Sequence, residues 1–209
     1  MYSILLSAGW PIWPLLIISI VGLAIVIERA WYLRQIQVIP KSCLESAFSL
    51  ANQLFNGKPV NEQAIQDLKQ SGLAGSLFAC LLKEKTAGST ADTALEELQV
   101  TAQTVWLKLE RYLGALATIA TVAPLLGLFG TVVGMIEIFG SSSPTGNSNP
   151  TQLAHGISIA LYNTAFGLVV AIPSMIFYRH FRATVDNLLL EMEMQATKLV
   201  EILQGERQA

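Results

Sequence analysis

Charge is the scarcest property of this sequence. Only 13% of its 209 residues are charged, whereas 52% are hydrophobic. In soluble domains roughly a quarter of the residues are charged. The formal net charge is −2, and no basic run or aromatic platform is present, so a nucleic-acid partner is not expected. Low charge together with long apolar stretches indicates that the lipid bilayer surrounds much of the chain.

Cysteine and histidine are equally rare. The two cysteines, Cys43 and Cys80, are too few for a disulfide framework and lack metal-ligand spacing, so we interpret both as small apolar residues on reduced cytoplasmic helices. His155 and His180 are 25 residues apart. That is ~37 Å along one helix, so they cannot share a metal ion or haem. No Ser/His/Asp set, carboxylate pair or metal cluster can be assembled, and we predict neither an enzyme nor a metal or other cofactor.

Three apolar stretches are long enough to cross a membrane, for which ~20 residues suffice. The first runs from Trp10 to Ile27. No Lys or Arg precedes it and no A-x-A pattern follows, which favours a retained membrane helix over a cleaved signal peptide. Between Tyr112 and Tyr178 the only formal charge is Glu137, which leaves room for two further spans. The turn-forming run S-S-S-P-T-G-N-S-N-P separates these two spans.

The positive charges predict the orientation. All 13 Lys and Arg lie between Arg29 and Lys85, at Lys108 and Arg111, or from Arg179 onward. Positive residues are retained on the cytoplasmic side of a membrane. The predicted topology is therefore a periplasmic N-terminus at 1–9, membrane helices at 10–27, 112–139 and 153–178, a cytoplasmic helical region at 28–111, a periplasmic loop at 140–152 and a cytoplasmic C-terminal helix at 179–209.

Apolar residues recur at helical spacing in the predicted cytoplasmic parts. We expect helices at 42–55 and 73–82, and one uninterrupted helix from about Thr90 to Phe139. The third membrane helix is likewise expected to continue beyond Pro173 through Asp186. The predicted fold class is an all-α membrane protein with three transmembrane helices, the second and third long and extended into a cytoplasmic helical bundle.

Small residues are frequent in the last two membrane spans. We assign six of them to helix packing: Gly127, Gly130, Gly134, Gly156, Ala160 and Gly167. Small residues let membrane helices approach closely. Because a lone subunit is expected to expose Gly127, Gly130, Gly134 and Gly167 to lipid, we predict a homo-oligomer that packs through some of these faces.

A few polar residues lie in or beside these spans. Thr131 and Thr164 are near mid-membrane depth. Each hydroxyl either bonds back to its own helix, at Gly127 or Ala160, or lines a polar path with attendant waters. Glu137 is either a solvated interfacial carboxylate or an acid through which protons enter. We expect His155 at the outer start of the third span and His180 as an anchor at the inner boundary.

Two runs in these spans resemble a known family. They are A-P-L-L-G-L-F-G-T-V-V-G-M, from Ala123 to Met135, and G-I-S-I-A-L-Y-N-T-A-F-G-L-V-V-A-I-P, from Gly156 to Pro173. With Glu28-Arg29 closing the first span, they resemble the ExbB/TolQ/MotA proton-channel family. Three spans with a large loop after the first resemble ExbB and TolQ, whereas MotA has four spans.

This resemblance implies a ring-forming subunit of a motor driven by the proton-motive force. The implied assembly is a homopentamer in the bacterial inner membrane. It encloses the single membrane helices of an ExbD- or TolR-like dimer and drives a periplasm-spanning TonB- or TolA-like protein. The resemblance also implies that Thr131 and Thr164 face a proton-carrying aspartate of the partner.

One position departs from the family pattern. The best-known ExbB and TolQ proteins carry a glutamate where this chain has Ile159, so no acid lies at mid-membrane depth. The titrating carboxylate is then expected from the partner, with Thr131, Thr164 and Asn163 as hydrogen-bonding relays. A different coupling ion and a non-conducting membrane scaffold are the alternatives.

Overall fold

The computed structural model describes residues 10–87, 91–141 and 150–204, and in these ranges the chain is helical with no strand. The described helices are α1 (Ile12–Tyr32), α2 (Gln35–Val38), α3 (Lys41–Phe55), α4 (Glu62–Gln70), α5 (Leu73–Ala87), α6 (Ala91–Glu110), α7 (Leu113–Ser141) and α8 (Pro150–Gln204). Stretches long and apolar enough to cross a membrane lie in Ile12–Tyr32, Glu96–Gly140 and Gly156–Gln204. The predicted all-α class with three apolar spans is therefore confirmed.

Contacts divide the chain into two compact units. The first combines Met1–Glu28 with Tyr112–His180, and the second combines Arg29–Arg111 with Phe181–Ala209. Helices α1 and α8 therefore contribute residues to both units.

The first unit has a core of apolar and small residues. Leu15 of α1, Ile119 and Ala123 of α7, and Val170 and Ala171 of α8 form this core. Large apolar side chains are exposed on all three helices: Ile17, Ile20, Leu125, Leu128, Ile172 and Ile176. Helices that are apolar on every side are typical of membrane spans, because lipid solvates the outward face.

The second unit is a helical bundle with a conventional core. Its largest buried apolar side chains are Phe78, Leu82, Leu109, Met192 and Leu199. Helix α4 belongs to this unit and was not predicted from the sequence. The local sequence feature that marks the start of α4 is Asn61. Its side chain accepts a hydrogen bond from the backbone N–H of Gln63 at 3.0 Å and so caps the helix.

The predicted uninterrupted helix from Thr90 to Phe139 is wrong at one place. Helix α6 ends at Glu110 and α7 begins at Leu113. Between them Tyr112 has a φ of 64°, in the left-handed region that ends helices. The left-handed position is occupied by a tyrosine rather than a glycine, and Gly114 lies two residues further on.

Thiol labelling tests the burial and sidedness of the two cysteines. Cys43 is buried and Cys80 is half-buried. Burial raises the pKa of the Cys43 thiol, and its hydrogen bond with Ser71 only partly offsets this by lowering it. The thiolate is the reactive form. A permeant maleimide at pH 7 should therefore label Cys80 severalfold faster than Cys43, and Cys43 labelling should rise as the pH increases.

An impermeant maleimide on intact cells tests the predicted topology in the same variants. It should label neither native cysteine but should label cysteines introduced at Ser142 or Asn147, two positions outside the described residues. Single-cysteine chains made with Cys43→Ser or Cys80→Ser assign each signal. Labelling of Cys43 or Cys80 from outside would contradict the cytoplasmic assignment of 28–111.

Candidate functional site

Helices α7 and α8 approach each other through glycine. A Cβ atom added at Gly127 would lie 2.8 Å from the backbone oxygen of Asn163 and 3.0 Å from the Cα of Thr164. On the opposite helix, a Cβ atom at Gly167 would lie 2.6 Å from the backbone oxygen of Ala123. No side chain fits at either glycine unless the two helices separate, because the obstructing atoms are backbone.

The other predicted packing residues also meet partners on the opposite helix. Gly130 meets Asn163, Gly134 meets Ala160, and Gly156 meets Ile138. All of these contacts lie within one chain. The expectation that a lone subunit exposes its glycines to lipid is therefore wrong: Gly127, Gly130 and Gly167 are buried between α7 and α8. Contacts between subunits would have to use other surfaces.

The helix register places the two threonines close in height. The pairs Gly130–Asn163 and Gly134–Ala160 show that α7 and α8 run antiparallel. Thr131 follows Gly130 and Thr164 follows Asn163, so each threonine is one residue beyond a paired position. With 3.6 residues per turn, the same rotation on two antiparallel helices brings both threonines to the same edge of the helix pair. Both are half-buried.

The hydroxyl of Thr131 bonds to its own helix. It donates to the backbone carbonyl of Leu128 at 2.6 Å, one residue away from the carbonyl of Gly127 that the sequence suggested. A hydroxyl has one proton to donate and two lone pairs, so the Thr131 oxygen can still accept a hydrogen bond. Thr131 also lines an open groove of about 550 Å³ on α7, with Val132 and Ile136 among its walls. The role of Thr131 in a polar path through the membrane stays a prediction.

The remaining predicted site residues are spread along the two helices. Asn163 is 1% exposed and lies with its side chain against Gly130, so α7 and α8 enclose it. Glu137 is exposed on α7, and His180 is exposed on α8. The side chain of His155 lies outside the described part of the structure. The relay and proton-uptake roles of Asn163 and Glu137 remain predictions.

Residues 62–194 match the MotA/TolQ/ExbB proton channel family. The chain belongs to this family. The match extends from α4 through most of α8, so it also covers cytoplasmic helices that showed no specific resemblance by inspection. Membership in this family together with three apolar helices identifies a multi-pass inner-membrane protein.

Several named proteins are similar to this chain over most of its length. An ExbB-like biopolymer transport protein 3 of Synechocystis is 34% identical over 175 residues, which cover 81% of this chain and 79% of that protein. Biopolymer transport protein exbB1 of Vibrio cholerae is 30% identical over 203 residues, 88% and 80% of the two chains. The Tol-Pal system protein TolQ of Haemophilus influenzae is 29% identical over 181 residues, 80% and 76% of the two chains.

Sequence reasoning missed the part played by Arg29. In the sequence it is an arginine after an apolar span, close to Trp31 and Tyr32, which is the usual pattern of an interfacial anchor. The structure buries Arg29 to 1% exposure, with hydrogen bonds to the end of α6. No local pattern distinguishes a buried arginine from a solvated one at such a position.

Proposed function

We propose that this family member is the ring-forming subunit of a proton-driven inner-membrane motor. With an ExbD- or TolR-like single-span partner, it energises a TonB- or TolA-like periplasmic protein for transport or envelope work. The observation that carries the proposal is the placement of Thr131 and Thr164 at one edge of a tightly packed helix pair. The similarity to biopolymer transport and TolQ proteins supports it.

The proton-carrying group is assigned to the partner. Between Tyr112 and Tyr178 the only formal charge of this chain is Glu137, which is exposed towards the end of α7. A carboxyl group on the partner helix would donate to the Thr131 oxygen, whose own proton already bonds to Leu128. Asn163 is the third polar group of the proposed path, and Glu137 is its proposed outer acid.

The contacts of the ring are assigned to surfaces other than the glycine faces. In the second unit Val100 and Leu107 of α6 are 58% and 62% exposed, and Leu190 of α8 is 55% exposed. Val100 and Leu107 are seven residues apart and so lie on one face of α6. Large apolar side chains exposed on a water-facing unit are typical of protein interfaces. We therefore assign Val100, Leu107 and Leu190 to contacts between neighbouring subunits.

Native mass measurement of the purified assembly tests the ring and its partner. Co-expressed with the ExbD- or TolR-like protein of the same organism, the chain should purify as a pentamer that retains the partner. The double variant Val100→Glu, Leu107→Glu should reduce the pentamer fraction, because charge replaces apolar contact. Gln99→Glu, which adds a charge to the same helix about 100° away from Val100, is the control.

A monomer in both mild detergent and nanodiscs would overturn the ring. A non-conducting scaffold is the second candidate function, favoured by the bond of the Thr131 hydroxyl to its own helix. The motor subunit and the scaffold are both expected to assemble into an oligomer. Deleting the hydroxyls of Thr131 and Thr164 distinguishes the two functions, because only a proton path needs these hydroxyls.

A further inference from the structure

An open apolar groove lies within the second unit, between α6 and α8. Its volume is about 480 Å³, and the described residues that line it are apolar apart from Glu193 and Thr197. These two residues and Ala102 are exposed, so the mouth of the groove lies along them. The main apolar lining residues of the two helices are Leu98, Ala102, Val105, Leu189, Met192 and Ala196. An apolar groove on a water-facing unit is typical of a surface that another apolar group covers.

A ridge of exposed side chains lies on the opposite face of α6. We define the ridge as Val100, Thr104 and Leu107, all exposed and spaced so that they share one face of the helix. At 3.6 residues per turn, Val100 and Leu107 are turned by about 160° from the groove wall at Leu98 and Val105. One helix therefore presents the ridge on one face and a wall of the groove on the other.

The hydroxyl groups on both surfaces are already bonded within their own helices. Thr104 of the ridge donates to the backbone carbonyl of Val100 at 2.8 Å. Thr197 at the mouth of the groove donates to the backbone carbonyl of Glu193 at 2.9 Å. A hydroxyl that loses water without gaining a partner costs free energy, and neither threonine would meet this cost on being covered. The ridge and the groove are therefore suited to contact with apolar groups.

The ridge and the groove match in length, position and flanking charge. The ridge spans residues 100–107 of α6 and the groove wall spans residues 98–105, each ~10.5 Å long at 1.5 Å per residue. A rotation about an axis parallel to α6 leaves every residue at its own height, so it brings the ridge of one copy level with the groove of the next. Glu193 borders the groove, and Lys108 directly follows the ridge, so opposite charges flank the two surfaces.

We propose that the groove receives the ridge of a second copy of this chain. Val100 and Leu107 of one subunit insert between α6 and α8 of the next, where Ala102 and Ala196 leave room for them. Because the ridge and the groove are different surfaces, the contact is heterologous. Heterologous contacts repeat around a ring, whereas a two-fold contact uses one surface twice and stops at a dimer. The inference rests on the ring of the proposed function and names the surfaces that build it.

Disulfide cross-linking of the full-length chain in membranes, co-expressed with its single-span partner, tests the contact. The chain carries Cys43→Ser and Cys80→Ser, so that only introduced thiols react. Thr104→Cys together with Ala102→Cys should give covalent dimers and higher multimers on oxidation with copper phenanthroline, measured on a non-reducing gel. The two thiols point to different faces of one helix, so they cannot bridge within a chain. Either substitution alone should give no multimers, because a heterologous contact does not bring a residue onto its own copy.

A bulky side chain in the groove gives a second, independent measurement. Ala196→Phe fills the groove without adding a charge, so it should lower the pentamer fraction severalfold in native mass measurement. Lys198→Phe adds the same ring at an exposed position about 160° away around α8 and should leave the fraction unchanged. The same position is the control for cross-linking, because Thr104→Cys with Lys198→Cys should give no multimers.

A pentamer without the cross-link between Thr104→Cys and Ala102→Cys would overturn the contact and leave the ring intact. Cross-linking by Thr104→Cys alone would overturn it in favour of a two-fold contact. Protection of Ala102→Cys from maleimide without the cross-link would show a lipid or the single-span partner in the groove and would also overturn it. A monomer in both mild detergent and nanodiscs would overturn the ring of the proposed function and the contact with it.

Discussion

Thr131→Val and Thr164→Val are each expected to abolish energy-dependent function while the complex with the single-span partner still assembles. Valine keeps the branched shape and deletes the hydroxyl. The bond that Thr131 loses runs to Leu128 in its own helix, so the stability cost should be only about 0.5–1.5 kcal/mol. The functional loss should be complete, because the two hydroxyls are the groups at the shared edge of α7 and α8. Proton flux into proteoliposomes that contain the assembled complex measures this loss.

Thr118 provides a matched control for the hydroxyl deletion. It lies on α7, is exposed, and donates to the carbonyl of Gly114 at 2.9 Å, so Thr118→Val removes the same kind of bond away from the edge. That variant should keep proton flux, and Glu137→Gln should be milder than either edge variant. Full activity of Thr131→Val and Thr164→Val at normal expression would exclude the relay and favour the scaffold.

Alanine at Gly127 or Gly167 is expected to destabilise the membrane unit, whereas alanine at Gly114 should stabilise it. The added methyl at Gly127 or Gly167 meets backbone atoms at 2.8 Å and 2.6 Å, so the helices must shift apart. We expect a cost of about 1–3 kcal/mol in the free energy of unfolding. Gly114 has no heavy atom within 4 Å of the new methyl group. The change there should gain about 0.5–1 kcal/mol from helix propensity. Thermal unfolding in a single detergent should show a lower melting temperature for Gly127→Ala and Gly167→Ala and a higher one for Gly114→Ala.

At Gly130 a second substitution should reverse the loss of stability caused by the first. A methyl group there would lie 2.8 Å from the Cβ of Asn163. Gly130→Ala should therefore be destabilising, and adding Asn163→Gly should recover stability by vacating that space. The same sign of change at Gly127 and Gly114 would contradict the packing of α7 on α8. Gly134→Leu should likewise act first on the packing of α7 against α8, because Gly134 faces Ala160 of its own chain.

Much of the helical architecture was predictable from local pattern. The apolar stretch from Trp10 to Ile27 predicted α1, and helices expected at 42–55 and 73–82 correspond to Lys41–Phe55 and Leu73–Ala87. Such predictions succeed because every backbone group in lipid must be satisfied within its own helix, so apolar length alone indicates a span. Helix α4 escaped notice because nine residues give too little periodicity to recognise.

The identity of the candidate residues also came from sequence, but their surroundings did not. Gly127, Gly130 and Gly167 were recognisable as packing residues because small side chains mark helix contacts. Periodicity shows which face of a helix is small and leaves open which helix that face meets. The structure decided that these faces meet within one chain, which moved the expected subunit contacts elsewhere.

The sequence by itself determined the all-α class, the three apolar spans and the family, because hydropathy, charge and motif spacing are properties of short stretches. Only the tertiary structure decided the enclosure of Asn163 and the burial of Arg29. Each of these depends on residues far apart in the chain: the guanidinium of Arg29 reaches carbonyls 79 and 80 positions away. No window along the sequence contains a contact over that distance, so local pattern cannot predict it.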